Sequence, residues 1–169
     1  MRSLRVRVRV LVLVAAAALA TGCDPARVAR LEEGVSTEAQ VRQEFGEPVT
    51  VVEKADGSKV LEYPRQPEGW TNYRIVIGAD GKMSSLRQLL NADNFAQVQP
   101  GQTQEQVRER LGRPSRIQPW PRQDETEWNW RFRPDANQSR LFSVYFDAGG
   151  RVKRTAVAED PRTQVQGGS

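Results

Sequence analysis

The sequence predicts an α+β protein built from two tandem units, each with two short helices packed on a three- to four-stranded antiparallel sheet. Three observations predict this fold class: a helix-start motif that occurs twice, alternating apolar runs after each copy, and hairpin-turn dipeptides between those runs. The 169 residues include a single cysteine, at position 23, so an intramolecular disulfide is excluded and packing must hold the fold.

The helix-start motif is an internal repeat. Residues 37–48 (TEAQVRQEFGEP) align with residues 103–114 (TQEQVRERLGRP). In each copy a threonine is followed three residues later by a glutamine, which is the pattern of a capping box at the start of a helix. A glycine and then a proline, two residues apart, end the helical pattern. We therefore predict one short helix in each copy.

Alternating apolar positions after each helix predict antiparallel strands. The predicted strands cover residues 49–54, 58–63, 72–77 and 82–88 in the first copy and residues 115–120, 125–133, 140–147 and 151–158 in the second. The dipeptides Asp56–Gly57 and Asp80–Gly81 are strong signals for hairpin turns. Apolar pairs upstream of each capping box, Val28 with Leu31 and Phe95 with Val98, predict a further short helix in each copy.

These patterns predict four segments of the chain. Residues 1–22 are an export signal, residues 23–90 form the first unit, and residues 91–160 form the second. Residues 161–169 lack an apolar stripe, so we expect a disordered tail.

The export signal has the three parts of a signal peptide. Four arginines precede an apolar run over residues 10–20, and a threonine, a glycine and Cys23 follow. Eleven apolar residues in a helix rise about 16 Å, roughly half of the hydrocarbon core, so this run is too short to span a membrane. Residues 19–23 (LATGC) resemble the lipobox of bacterial lipoproteins, which implies that Cys23 is lipidated and becomes the first residue of the mature chain.

Removal of the signal changes the charge of the chain. The full sequence has 25 basic and 21 acidic residues, and the signal contains four arginines and no acid, which leaves 21 of each. A net charge of zero gives no support for binding to nucleic acid. We expect attachment to the membrane through acyl chains on Cys23, because two or three such chains hold a protein durably.

The sequence contains few residues suited to catalysis. It has no histidine, which removes the commonest general base near neutral pH and the commonest metal ligand. Adjacent carboxylates such as Glu32–Glu33 and Glu159–Asp160 point in different directions on regular structure and are usually solvated. We predict that the protein is not an enzyme and has no cofactor and no metal site.

One predicted strand alternates aromatic and polar side chains. Trp128, Trp130 and Phe132 share one face, and residues 127, 129, 131 and 133 share the other. We expect the aromatic face to lie in the core. Trp128→Ala should then cost about 3 to 5 kcal/mol of stability, whereas Arg131→Ala should change it by less than about 0.5 kcal/mol.

The opposite face is a candidate surface for binding a partner. Tryptophan, tyrosine and arginine dominate the hot spots of protein interfaces. Trp120, Arg131, Arg133 and Tyr145 are therefore the candidate partner-binding residues, and Cys23 is the candidate lipidation site.

The second copy resembles a known family in residues 94–103 (NFAQVQPGQT), 107, 111, 112, 114, 128–130 (WNW) and 144–152 (VYFDAGGRV). It is similar to the SmpA/OmlA (BamE-like) lipoprotein family, whose BamE member belongs to the outer-membrane β-barrel assembly machine. The first copy matches less fully, through residues 34, 37, 41, 45, 46, 48, 75–77 and 80–81. The resemblance implies tandem copies of one domain.

The resemblance also implies a function. It implies a lipid-anchored cell-envelope protein that faces the periplasm, binds other envelope proteins without catalysis, and takes part in outer-membrane β-barrel protein assembly. The family favours the outer membrane, whereas Asp24 after the cysteine resembles a signal for retention in the inner membrane. The alternative is a membrane-tethered inhibitor or ligand-binding protein of the periplasm. The identity of crosslinked partners distinguishes these two functions.

Overall fold

The computed structural model describes residues 24–164, which form two four-stranded antiparallel sheets with short helices. This is the predicted α+β fold class. The export signal and the lipidation site at Cys23 lie outside the described residues, as do residues 165–169 of the predicted tail. Over residues 24–164, no helix has the length and apolar character needed to cross a bilayer.

The first unit is a helical layer followed by a four-stranded meander. Its elements are α1 (Asp24–Val28), α2 (Glu38–Phe45), β1 (Thr50–Glu53), β2 (Lys59–Pro64), β3 (Asn72–Ile77) and β4 (Met83–Gln88), and the strands pair in chain order. Both halves of the predicted capping box are present at the start of α2, where Thr37 and Gln40 bond reciprocally. Gly46 ends the helix with a φ of +81°, a conformation that favours glycine.

The second unit repeats this order of elements. It contains α3 (Ala92–Ala96), α4 (Gln104–Leu111), β5 (Arg116–Trp120), β6 (Glu125–Asp135), β7 (Gln138–Phe146) and β8 (Val152–Glu159), again paired in chain order. Thr103 and Gln106 form the capping box of α4. All eight predicted strands are present, with ends within two residues of those predicted. A short helix, α5 (Pro161–Gln164), occupies the first four residues of the predicted disordered tail.

Each unit buries one face of its sheet under its helices. In the first core, Val41 and Phe45 of α2 pack on Leu61, Ile75 and neighbouring side chains of the sheet. The second core contains Leu90, Phe95, Val98, Val107, Leu111, Trp128, Trp130, Phe132, Phe142, Val144, Phe146 and Val152. The predicted burial of the aromatic face of β6 is therefore confirmed. The other face of each sheet points away from the helices of its own unit.

The two units are joined by side chains of the first that bond the end of a helix in the second. Asn72 Nδ2 donates to the backbone oxygens of Leu111 and Arg113 at 2.8 and 2.9 Å. Arg74 also donates to the backbone oxygen of Glu109. The last carbonyls of a helix have no partner within it, so these bonds satisfy groups that α4 leaves open. The first unit thereby caps a helix of the second.

Candidate partner-binding face

The candidate residues belong to the outer face of the second sheet, which is the side away from its helices. The ladder places Glu127 opposite Gln118 and Tyr145, and Tyr145 opposite Arg154. Residues directly opposite each other point to the same side of a sheet, and Trp128, the neighbour of Glu127, points into the core. The same parity brings Trp120, paired with Glu125, onto this outer face.

Trp120, Glu127, Tyr145 and Arg154 form a cluster that we call the open end of this face. The Trp120 side chain is held by a hydrogen bond from Nε1 to Glu127 Oε2, 3.0 Å long, although the residue is 42% exposed. Asn129 Nδ2 donates to the other oxygen, Oε1, at 2.8 Å. The guanidinium carbon of Arg154 lies 3.5 Å from the ring centroid of Tyr145. The open end therefore presents two oriented aromatic rings to solvent.

The carboxylate of Glu127 is the centre of this cluster. Burial alone would raise its pKa, but hydrogen bonds from Asn129, Trp120, Ser143 and Tyr145 together lower the pKa below its usual value. Burial raises the pKa of Tyr145, and the hydrogen bond to Glu127 raises it further. At neutral pH the cluster is therefore an ionised carboxylate with neutral donors around it, which keeps the rings in place.

Arg131 does not belong to an exposed face, and the expectation that its side chain is exposed is wrong. Its Nε atom lies 2.6 Å from Asp160 Oδ2, and the two side chains are only 7% and 2% exposed. Arg131 Nη1 also donates to the backbone oxygen of Pro67 at 2.9 Å. The residue is buried because a segment of the first unit covers this end of the second sheet.

That segment is the connection between β2 and β3, residues 65–71, which we call the 65–71 loop. Gln66 forms two hydrogen bonds with the backbone of Arg131, one from Nε2 to the carbonyl at 2.7 Å and one accepted by Oε1 at 3.3 Å. Trp70 Nε1 donates to Ser139 Oγ at 2.8 Å, and the guanidinium carbon of Arg133 lies 3.4 Å from the Trp70 ring centroid. The loop therefore occupies the covered end of the outer face.

Asp160 holds the covered end together. Its carboxylate accepts hydrogen bonds from Arg131 and from Ser139, the latter at 2.8 Å. Burial acts to raise its pKa, but these bonds and one from the backbone of Arg162 lower the pKa below its usual value. The ion pair is thus fully formed at neutral pH. Gln66, Trp70 and Asp160 were not among the predicted site residues.

The four candidate residues therefore divide between the two ends of one face. Trp120 and Tyr145 lie at the open end, whereas Arg131 and Arg133 lie at the covered end and contact the 65–71 loop. Within residues 24–164, no group of three or more histidine, cysteine, aspartate or glutamate side chains is placed to hold a metal ion.

The fold and this face define a class of protein, an α+β module in which one side of an antiparallel sheet packs on helices and part of the other side is exposed. Within the chain, residues 88–156 match the family model described as "Outer membrane protein assembly factor BamE domain". This match runs from the end of β4 into β8 and so covers the second unit. It supports the BamE-like resemblance for that unit and does not extend to the first.

Two solved structures are similar to the chain. One is the crystal structure of a DUF4309 family protein, YjgB, from Bacillus subtilis subsp. subtilis str. 168, with 19% identity over 77% of this chain and 82% of that one and a TM-score of 0.30. The other is a proposed beta-lactamase inhibitor protein from Streptococcus mutans, with 14% identity over 73% and 82% and a TM-score of 0.32. Such distant likenesses do not bear on function. No curated protein matches the chain.

Proposed function

We propose that this protein is a lipid-anchored, non-catalytic interaction module of the cell envelope that takes part in outer-membrane β-barrel protein assembly. The observation that carries the proposal is the match of residues 88–156 to the BamE domain, together with the open end that this unit presents to solvent. We further propose that the first unit is a second BamE-like copy, because it has the same order of elements and the same helix cap.

The proposed anchor is a set of acyl chains on Cys23. The basic and apolar segments before it and the lipobox-like residues 19–23 support this assignment. Asp24, the next residue, begins α1, and its carboxylate contacts Arg65 at 3.4 Å and Thr71 Oγ1 at 3.2 Å. The folded body therefore starts one residue after the proposed attachment point. We place it on the periplasmic side of the outer membrane, with the inner membrane as the alternative.

We propose that Trp120 and Tyr145 are the main contacts with the partner. Both rings are restrained before binding, Trp120 by Glu127 and Tyr145 by Arg154, so little side-chain entropy is lost when a partner covers them. Arg133, on the same face, extends the surface towards the 65–71 loop. Arg131 supports the surface by holding the loop and does not itself touch the partner.

The test is photo-crosslinking in cells of the native host, with the crosslinking residue at position 120 and a control at Val35, which is exposed in the first unit. We expect barrel-assembly subunits to be captured from position 120 and not from position 35. Trp120→Ala should reduce co-purification of the same subunits about tenfold or more, as expected of a hot spot, while lowering the melting temperature by no more than about 4 °C.

Other outcomes of this experiment reject the proposal. Capture of one soluble periplasmic enzyme whose activity then falls would replace it with the tethered-inhibitor function. Capture of nothing from position 120 would reject the open end as a binding surface. Mass spectrometry tests the anchor separately, because a mature chain that starts elsewhere or retains a free thiol at Cys23 rules out lipidation.

A further inference from the structure

The two helices that begin with a capping box also end in the same way. Gly46 follows α2 with φ 81° and ψ −163°, and Gly112 follows α4 with φ 72° and ψ −161°. In each case the glycine N–H donates to the backbone oxygen four residues earlier, at 2.8 Å. The backbone carbonyls on either side of the glycine are therefore arranged alike at the two helix ends.

The end of α4 is covered by the first unit. The side chain of Asn72, a residue only 1% exposed, donates from Nδ2 to the backbone oxygens of Leu111 and Arg113 at 2.8 and 2.9 Å. Leu89 packs on the glycine between them, because a Cβ atom at Gly112 would lie 3.3 Å from Leu89 Cδ1. One amide and one aliphatic side chain thus cover this helix end.

The end of α2 has the same backbone groups without this cover. The repeat places Phe45 and Glu47 at the positions of the two residues whose carbonyls Asn72 binds. In the part of the chain that the structure describes, no donor bonds to the backbone oxygen of either residue, and a Cβ atom at Gly46 would meet no atom beyond its chain neighbours within 4 Å. Val49, which follows, is 63% exposed. These residues, 45–47 and 49, form a surface that we call the α2 end.

We propose that the α2 end is a docking site for a β-strand of another protein, one that carries an outward-facing asparagine or glutamine beside an aliphatic residue. The amide would donate to the backbone oxygens of Phe45 and Glu47, and the aliphatic side chain would cover Gly46 and Val49. This occupant has the chemistry with which β3 and the residue after β4 cover the end of α4 in the same chain.

The electrostatics of the α2 end favour such a donor. The last carbonyls of a helix carry partial negative charge, which attracts N–H groups and cations and repels carboxylates. The glycine turn fixes these carbonyls before a partner arrives, so little conformational entropy is lost on binding. Covering Val49 removes apolar surface from water and adds to the affinity.

The outward-facing asparagines of this chain are not free to occupy the α2 end of a second copy. An asparagine side chain has two N–H donors, and both donors of Asn72 are bonded to backbone oxygens at the end of α4. Asn129, which faces outward from β6, donates to Glu127 and to Ser143, both at 2.8 Å. The strand is therefore assigned to a different protein.

The test is photo-crosslinking of the full-length chain in its native host, with the crosslinking residue at position 49. Position 35 is the matched control, because Val35 and Val49 are 58% and 63% exposed but lie at opposite ends of α2. We expect one partner from position 49, in a yield about tenfold or more above that from position 35. Mass spectrometry of the adduct should locate the crosslink in a strand with an asparagine or glutamine beside an aliphatic residue.

A charge placed at the α2 end tests the chemistry independently. Val49→Asp puts a carboxylate beside the two carbonyls, so co-purification of the captured partner should fall about tenfold or more. Val35→Asp should leave co-purification unchanged. Both side chains are exposed in the wild type, and thermal melts of the two variants confirm that the fold is intact.

Several outcomes would overturn the proposal. These are no adduct at position 49, equal yields from the two positions, an adduct between two copies of the chain, and a crosslinked strand without a side-chain amide. A captured partner that Val49→Asp still co-purifies in full would also overturn it. The open end is tested at position 120, so failure at position 49 leaves the proposed function standing, and failure at position 120 leaves the α2 end standing.

Discussion

The two units share an order of elements but differ in the length of their strands. Strands of the first unit have four to six residues, whereas those of the second have five to eleven. The first core relies on one phenylalanine, two tyrosines and aliphatic side chains, and the second contains two tryptophans and four phenylalanines. The helix caps are nevertheless the same. Local signals therefore set the order of elements, while strand length decides how much sheet is left for binding.

The outer faces show the effect of this difference. Arg74, on the outer face of the short first sheet, bonds to the end of α4. The 65–71 loop covers one end of the longer second sheet and leaves Trp120 and Tyr145 beyond its reach. Each unit thus contacts the other through the outer face of its sheet, and Trp120 remains 42% exposed in the second.

The largest expected effect is on the free energy of unfolding, and it should distinguish a core residue of the second unit from a residue of its open end. Trp128→Ala should lower the free energy of unfolding by about 3 to 5 kcal/mol, because it removes a large buried side chain. Trp120→Ala, the matched control on the outer face, should cost less than about 1 kcal/mol, since the residue is partly exposed. Urea unfolding measures both. Equal losses would show that the two tryptophans are equally buried.

The next largest effect is expected for variants at the contact between the units. Arg131→Ala should cost about 3 kcal/mol or more, because it leaves the carboxylate of Asp160 buried without its cation. This reverses the expectation from the sequence. Arg133→Ala should cost less than about 1 kcal/mol, since Arg133 contributes mainly an exposed contact with the Trp70 ring. Similar melting temperatures for the two variants would mean that the 65–71 loop is not docked.

Acid should weaken the same contact to a smaller extent. Because the folded state holds the pKa of Asp160 below its usual value, the ion pair contributes stability above that usual value and loses it as the pH falls towards the lowered pKa. Wild type should therefore lose more free energy of unfolding between about pH 5 and pH 3 than Asp160→Asn does. Parallel pH profiles for the two proteins would contradict a lowered pKa at Asp160.

The smallest expected effect is the loss of stability when a helix cap is removed, and it should be equal in the two units. Thr37→Ala and Thr103→Ala each remove the hydroxyl that caps a helix, so each should cost about 1 kcal/mol. Thr37→Ser and Thr103→Ser keep the hydroxyl and serve as controls. Chemical denaturation measures all four variants. A clear inequality between the two alanine variants would show that the repeated motif supports the two units differently.

Short-range patterns predicted much of this structure. The capping boxes, the eight strands and the burial of Trp128, Trp130 and Phe132 all depend on residues within a few positions of one another. Each is governed by hydrogen bonding or side-chain alternation along a single element. The spacing of residues along the sequence is therefore enough to predict these features.

The burial of Arg131 could not be predicted in this way. Arg131 and Arg133 have the same alternation along β6, but Gln66 and Pro67, more than sixty residues earlier, cover only the first of them. Nothing in the local pattern distinguishes the two arginines. A tryptophan in the otherwise polar 65–71 loop was the one local signal of a docked segment, because such a side chain seldom stays in water.

The contacts of Asp24 bear on how the protein would move at a bilayer. With attachment at Cys23, a single peptide unit of about 3.8 Å separates the lipids from a residue already fixed to Arg65 and Thr71. Such a protein has no flexible linker between its lipid anchor and its folded part. It would lie against the lipid surface with the same side always facing the membrane. The distance from the lipid headgroups to Trp120 would then be set by the size of the folded protein.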